Sequence, residues 1–234
     1  MTLRAILFDK DGTFVDFNAT WGPAIESVMR EMAGTDAGAF ARLAEANHFD
    51  IPSRRLRPTS PFIAEASADF ARRWAEALAV PMSAAFHARM DRLLDAAALA
   101  SVTPIGAPDE AFAALKRAGY LVGVITNDTE AGALAQCERL GLMAHLDGVI
   151  GYDSGHGRKP GPGQILAFGA RHGLDPGQMM MVGDTTHDLA AARAAGAQAL
   201  GVLSGFAGRE ALAPLADHIL PDLMQLPAYL AQGG

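Results

Sequence analysis

Leu3–Phe17 reads LRAILFDKDGTFVDF. A short apolar run, residues 3–8, breaks off at Asp9-Lys10-Asp11-Gly12-Thr13. The run is apolar nearly throughout rather than alternating, the pattern of a parallel strand covered on both faces. Two acids one residue apart then stand where that strand hands over to a turn. On a strict strand they would face opposite ways. They reach one site only if the chain turns at Gly12, which relaxes the backbone there.

Working outward, residues 120–125, 147–150, 179–182, 198–203 and 217–220 also read as strands. Helical stretches lie between them. In 108–118, Asp109 and Glu110 come first, Phe112 and Leu115 share a face, and Gly119 stops the helix. In 129–140, Leu134 and Leu140 read as inward, Asp128 as the cap and Gly141 as the stop. Residues 162–172 and 186–195 end at Gly173 and Gly196. Strand, helix, glycine and strand in this rhythm predict an α/β fold with a doubly wound, mainly parallel, Rossmann-like sheet.

Residues 17–100 break the rhythm and offer no convincing strand. Trp21, Ile25, Val28 and Met32 follow helical spacing. So do Ile63, Ala66, Phe70 and Trp74, with Ser60-Pro61 as cap and first residue. Met82, Phe86, Met90, Leu93 and Ala97 form another stripe, and IPSRRLRPTSP at 51–61 reads as a loop. The expected organisation is a core of 1–16 and 101–234 with an all-helical subdomain, 17–100, inserted after the first strand.

The 234 residues are 50% hydrophobic with a net charge of −7, enough for a real core and without a nucleic-acid footprint. The single cysteine, Cys137, excludes an intrachain disulfide and reads as a small apolar helix residue. No stretch has the length of a spanning helix or the layout of a signal peptide. The expectation is a cytoplasmic protein, monomer or homodimer, without nucleic-acid or membrane partners.

Ligands of an open parallel sheet sit at the C-terminal ends of its strands. The first run ends on Asp9 and Asp11, GVITND on Thr126 and Asn127, and 179–182 on Gly183, Asp184 and Asp188; Lys159 stands in GRKPGPG after the 147–150 run. Each alone has an ordinary reading: a turn, a helix cap, a solvated lysine. Together they make a crowded set of carboxylates that repel unless a cation neutralises them. Hard oxygen donors without cysteine or paired histidines point to Mg²⁺. A carboxylate beside it can attack phosphorus, a second can move protons, and Thr126 and Lys159 can hold phosphoryl charge.

These motifs resemble those of the haloacid dehalogenase-like superfamily, phosphatase branch. Asp9-x-Asp11-Gly12-Thr13, Thr126, Lys159 and Gly183-Asp184-x-x-x-Asp188 match its four motifs in order, and the helical insert resembles its type 1 cap, as in phosphoglycolate phosphatases. The resemblance implies Asp9 as the nucleophile that becomes an aspartyl-phosphate. It implies Asp11 as general acid/base, Thr126 as phosphoryl binder and Lys159 as charge stabiliser. The Mg²⁺ set would be Asp9, Asp11 through its backbone carbonyl, Asp184 and Asp188. Lys10 is expected to point away from the site. Gly12, Thr13 and Asn127 are expected at the substrate, and Arg54, Arg55 and Arg57 could meet a second anionic group, as in 2-phosphoglycolate; a solvated charge run is the alternative. His187, inside the fourth motif, could line the site.

The expected activity is Mg²⁺-dependent hydrolysis of a small phosphorylated metabolite. A sugar-phosphate mutase of the same superfamily and a catalytically silent phosphate-binding regulator are the alternatives. A dehalogenase would not need Asp11. A phosphonatase would need a cap lysine, and residues 18–99 contain none.

Overall fold

A computed structural model of the chain describes residues 2–63 and 67–233. In chain order the elements are β1 (Ala5–Phe8), α1 (Phe17–Ala33), α2 (Ala37–Ala46), β2 (Phe49–Asp50), β3 (Arg55–Leu56), α3 (Ser67–Ala77) and α4 (Ala84–Ser101). Then follow α5 (Pro108–Arg117), β4 (Leu121–Ile125), α6 (Glu130–Arg139), β5 (Gly148–Ile150), α7 (Gly163–His172), β6 (Met179–Gly183), α8 (Thr186–Ala195), β7 (Gln198–Val202), α9 (Arg209–Leu212), β8 (His218–Leu220) and α10 (Leu226–Ala231). The chain divides into two units, Met1–Asp16 with Pro104–Gly234, and Phe17–Thr103.

The first unit is a parallel six-stranded sheet in the order β5-β4-β1-β6-β7-β8. All four residues of β1 are fully buried, as the uniformly apolar sequence requires of a central parallel strand. On one face, Leu7, Ile125, Ile165, Phe168, Met181 and Leu189 belong to a continuous apolar cluster. Phe112 of α5 packs its ring against Phe8 at 4.7 Å and Phe14 at 5.4 Å between centroids. Burial of such aromatic side chains is the main drive for closing the sheet under its helices.

The sheet order has a consequence for chemistry. The chain runs from β1 to β4 and β5 on one side, then returns to β6 on the other, so the order reverses beside β1. Polar groups at the carboxyl ends of β1, β4 and β6 therefore share one crevice.

Among the described residues the second unit is helical apart from a two-residue antiparallel ladder, Phe49↔Leu56 and Asp50↔Arg55. This corrects the reading of 51–61 as loop throughout. Asp50 accepts from the Ser53 N–H at 3.0 Å and organises the turn, a local signal that apolar periodicity does not carry. Trp21, Ile25, Val28 and Met29 are the buried stripe of α1. Phe62 packs on Trp21 and Phe70 at 5.0 and 4.9 Å, and Trp74 donates its indole N–H to Asn47 Oδ1 at 2.9 Å. Ser60 caps a 3₁₀ turn, Pro61–Ile63, rather than an α-helix, its hydroxyl accepting from the Phe62 N–H at 3.2 Å. Ala66, expected on the α3 stripe, lies outside the described residues.

Two stripes are rotated from expectation. On α4 the buried residues are Met90, Leu94 and Ala98, while Met82 precedes the helix and is exposed. With Leu93 and Leu94 adjacent, a one-residue error turns the inferred face by about 100°. On α6 the buried face is Gly132, Ala133, Gln136 and Cys137, and Leu134 and Leu140 are only half-buried. Thr129, not Asp128, caps α6, accepting from the Gly132 N–H at 3.0 Å. The Asp128 carboxylate is committed elsewhere, to Lys10.

Candidate active site

The strand register delivers the functional groups to one edge. Phe8 pairs with Val124 of β4 and Val182 of β6, so Asp9, Thr126 and Asp184 all follow within two residues of the same level. The Asp9 N–H donates to Val182 O at 2.8 Å, and the Thr126 N–H to Ile150 O at 3.0 Å. Asp188 comes from the first turn of α8, whose N-terminus favours a negative side chain. Thr185 donates both its N–H (2.9 Å) and its hydroxyl (2.6 Å) to Asp188 Oδ2, fixing that carboxylate. Lys159 arrives from the segment between β5 and α7, where Asn127 clasps its backbone: Lys159 N–H donates to Asn127 Oδ1 at 2.9 Å, and Asn127 Nδ2 donates to Lys159 O at 3.1 Å.

The result is a buried ionic cluster. Lys159 Nζ lies 2.5 Å from Asp9 Oδ1 and 2.6 Å from Asp188 Oδ1. Carboxylate oxygens of Asp9, Asp184 and Asp188 lie within 4.8 Å of one another, and all three residues are buried. Burial pushes the Asp9 carboxyl up to about 7 against the pull of Lys159, helped by the charges of Asp188 and Asp11. Burial, then Asp9 and Asp188, hold Asp184 well above the usual carboxylate range. Lys159 is raised: its burial opposes the charge, but Asp188 and Asp9 outweigh it. Three carboxylates facing one ammonium are short of positive charge.

The donor set fits a hard divalent cation. Asp184 Oδ1 is buried and has no hydrogen-bond partner among the described residues, whereas Asp184 Oδ2 accepts from the Phe206 N–H at 3.1 Å. An orphaned carboxylate oxygen in an all-oxygen, carboxylate-rich cluster suits Mg²⁺. Gly12 adopts φ +84°, and a Cβ there would overlap the Asp184 carboxylate, so glycine is required on both counts.

The other expected residues divide. Thr126 is buried, and its hydroxyl accepts from the Asp128 N–H at 3.1 Å, leaving the O–H to donate. Thr13 is fully buried, and its Oγ1 has no hydrogen-bond partner among the described residues. Asn127 spends its amide on Lys159. Arg54, Arg55 and Arg57 belong to the second unit, where Arg54 pairs with Glu26, Arg57 Nη2 lies 3.5 Å from Asp50 Oδ1, and Arg55 is exposed on β3. His187 is half-buried on α8. Lys10, expected to point away from the site, pairs with groups outside the Asp9–Asp184–Asp188 cluster. It is fully buried, and its ammonium lies 2.6 Å from Asp11 Oδ2, so it is coupled to the first motif.

Sequence reasoning missed the segment after β7. Ser204 donates its hydroxyl to Gly12 O at 2.8 Å, Phe206 holds Asp184, and Gly205 lies so close to the Asp184 carboxylate that a Cβ would overlap it. Its only sequence signal was a serine and glycine following an apolar run. Gln164, buried on α7, was also missed; it donates to Thr126 O at 2.8 Å.

With this geometry in place, the family is established: residues 3–196 match the model of the haloacid dehalogenase-like hydrolases, and the chain belongs to that family. Among curated relatives, it is 38% identical over 100 residues to the phosphoglycolate phosphatase of Mesorhizobium japonicum, covering 43% of this chain and 44% of that protein. It is also 38% identical over 113 residues to the probable phosphatase IndB of Dickeya dadantii, covering 48% and 49%. The chain thus spans about half the length of the curated relatives it matches. Among solved structures, a predicted phosphoglycolate phosphatase from Haemophilus somnus aligns with TM-score 0.74 at 19% identity, over 97% of this chain and 98% of that one. CbbY from Rhodobacter sphaeroides, solved in complex with phosphate, aligns with TM-score 0.73 at 19% identity, over 96% of each chain. At that identity the structures speak for the fold.

Proposed function

We propose that this hydrolase is a Mg²⁺-dependent phosphatase acting on phosphoglycolate or a similar small phosphomonoester through a phosphorylated Asp9. The observation that carries the reading is the buried Asp9 carboxylate held by Lys159 beside Asp184 and Asp188. The curated relatives named phosphoglycolate phosphatase support the substrate class.

Asp9, Asp184 and Asp188, with the Asp11 carbonyl, would hold Mg²⁺. Bound there, it supplies the positive charge that the carboxylates and phosphoryl oxygens lack. The chain's own groups do the rest. Lys159 lowers the cost of ionising buried Asp9 for attack. The Asp9 oxygen forms a bond to phosphorus as the bond to the leaving oxygen breaks, and the Asp11 carboxyl gives that oxygen a proton. Water then attacks the phosphorus of phospho-Asp9, passing its proton to Asp11, and inorganic phosphate leaves. Thr126 donates its O–H to a phosphoryl oxygen. Such transfer needs placement and charge stabilisation above all.

The test is phosphate release from p-nitrophenyl phosphate and from a panel of phosphorylated metabolites. Expected are turnover with Mg²⁺, its loss in EDTA and recovery on adding Mg²⁺ back, with phosphoglycolate among the best substrates by kcat/KM. Asp9→Asn should abolish turnover. Absence of Mg²⁺-dependent release, or substantial activity in Asp9→Asn, overturns the reading.

A further inference from the structure

A second buried ionic cluster lies behind the first motif. The Lys10 ammonium is 2.6 Å from Asp11 Oδ2 and 3.2 Å from Asp128 Oδ2, and it donates to Gln136 Oε1 at 2.9 Å. Gln136 Oε1 takes a hydrogen bond from the ammonium, and the Asp11 and Asp128 carboxylates flank it at ion-pair distance. Lys10 is fully buried, while the Asp11 and Asp128 side chains are 18% and 12% exposed. The far partners are themselves anchored. Gln136 is buried on α6, Asp128 Oδ1 accepts from the Thr129 N–H at 2.8 Å, and the Asp128 N–H donates to the Thr126 hydroxyl at 3.1 Å. One chain of contacts thus runs from Asp11 through Lys10 to the start of α6 and back to Thr126.

A buried lysine between two carboxylates is poorly explained by stability alone, because a well-packed apolar side chain serves a core at least as well. What the arrangement supplies is orientation. The Asp11 side chain is short, partly exposed and free to turn about two torsions unless something holds it. A fixed ammonium on its carboxyl removes that freedom, and proton transfer depends steeply on such placement.

We infer that Lys10, fixed by Asp128 and Gln136, is a positioning residue that holds the Asp11 carboxyl in the orientation from which it protonates the leaving oxygen. The inference rests on the phosphatase reading above and adds to it a residue that touches no substrate.

The test uses leaving groups. When p-nitrophenyl phosphate transfers its phosphoryl group to Asp9, the P–O bond breaks and p-nitrophenolate leaves with the electron pair, without needing a proton. An alkyl phosphate such as ethyl phosphate releases an alkoxide, which must take the Asp11 proton as it leaves. The parameter kcat/KM covers this first transfer and excludes the later hydrolysis of phospho-Asp9. Lys10→Met should therefore lower kcat/KM for ethyl phosphate about 100-fold, the scale of a misplaced general acid, and for p-nitrophenyl phosphate less than about 5-fold. Asp11→Asn should show the same selective pattern. Equal losses on both esters, or no loss on ethyl phosphate, overturn the inference. If Lys10→Met fails to fold by circular dichroism, Gln136→Met decides. It loosens Lys10 while keeping its charge, and should lower the ethyl-to-nitrophenyl ratio about 10-fold; an unchanged ratio overturns the inference. A wild-type protein without Mg²⁺-dependent turnover of either ester would instead sink the phosphatase reading.

Discussion

Replacing Asp9 by asparagine should stabilise the metal-free protein while destroying its chemistry, and the gain should depend on pH. In the folded chain the Asp9 carboxyl is raised from its ordinary 3.8 to about 7, chiefly by burial. A raised carboxyl penalises folding once it must ionise. Below about pH 4 the carboxyl is protonated folded and unfolded, so there is no penalty. Between about pH 4 and 7 only the unfolded chain gives up the proton, and the penalty grows; above about pH 7 it is complete. At about 1.4 kcal/mol per pKa unit it reaches about 4 kcal/mol. The asparagine amide has nearly the same shape, carries no charge, and still offers an oxygen to Lys159. The assay is urea unfolding in EDTA at about pH 4.5 and pH 8, followed by far-UV circular dichroism, because both tryptophans, Trp21 and Trp74, belong to the second unit. Asp9→Asn should exceed the wild type by about 1 kcal/mol at the lower pH and by about 4 kcal/mol at the higher. Mg²⁺ at 100 times its Kd should return about 2.7 kcal/mol to the wild type and narrow the gap. A gap that is the same at both pH values refutes the reasoning, because it would show that the ionised carboxylate carries no burial cost.

Three further outcomes follow from the geometry. Gly205→Ala places a methyl group against the Asp184 carboxylate, so it should cost about 1–3 kcal/mol and weaken Mg²⁺ binding in calorimetric titration; unchanged affinity would mean that the 204–206 segment does not set Asp184. Phe112→Ala removes the ring packed on Phe8 and Phe14 and should cost about 3–5 kcal/mol in urea unfolding, since the cavity lies under the central strand. The proposal that Arg55 meets a second anionic group of the substrate is tested by Arg55→Ala: KM for phosphoglycolate should rise several-fold with that for p-nitrophenyl phosphate unchanged, and equal KM values for the variant and the wild type on phosphoglycolate would identify a solvated charge.

Short-range chemistry makes part of this protein legible in the chain alone. Uniformly apolar runs such as AILF and MMMV specify buried parallel strands, and glycines such as Gly173 and Gly196, both left-handed at helix ends, punctuate them. A parallel sheet brings strand ends to one edge whatever the intervening helices contain, so Asp9, Thr126 and Asp184 were legible as a group before any coordinates. Which charge meets which is set by packing in three dimensions. Lys10 and Lys159 come from separate segments, yet each ends between two carboxylates, and the partners lie up to 150 residues away. The 204–206 segment reaches Asp184 only because β7 pairs beside β6. Periodicity settles the face of an element to within about one residue, so on α4 Met90 is placed correctly while Leu94 and Ala98 stand beside the expected Leu93 and Ala97, and on α6 Ala133 stands beside the expected Leu134. The pairing of buried charges depends on how distant segments pack in three dimensions, and no local pattern encodes it.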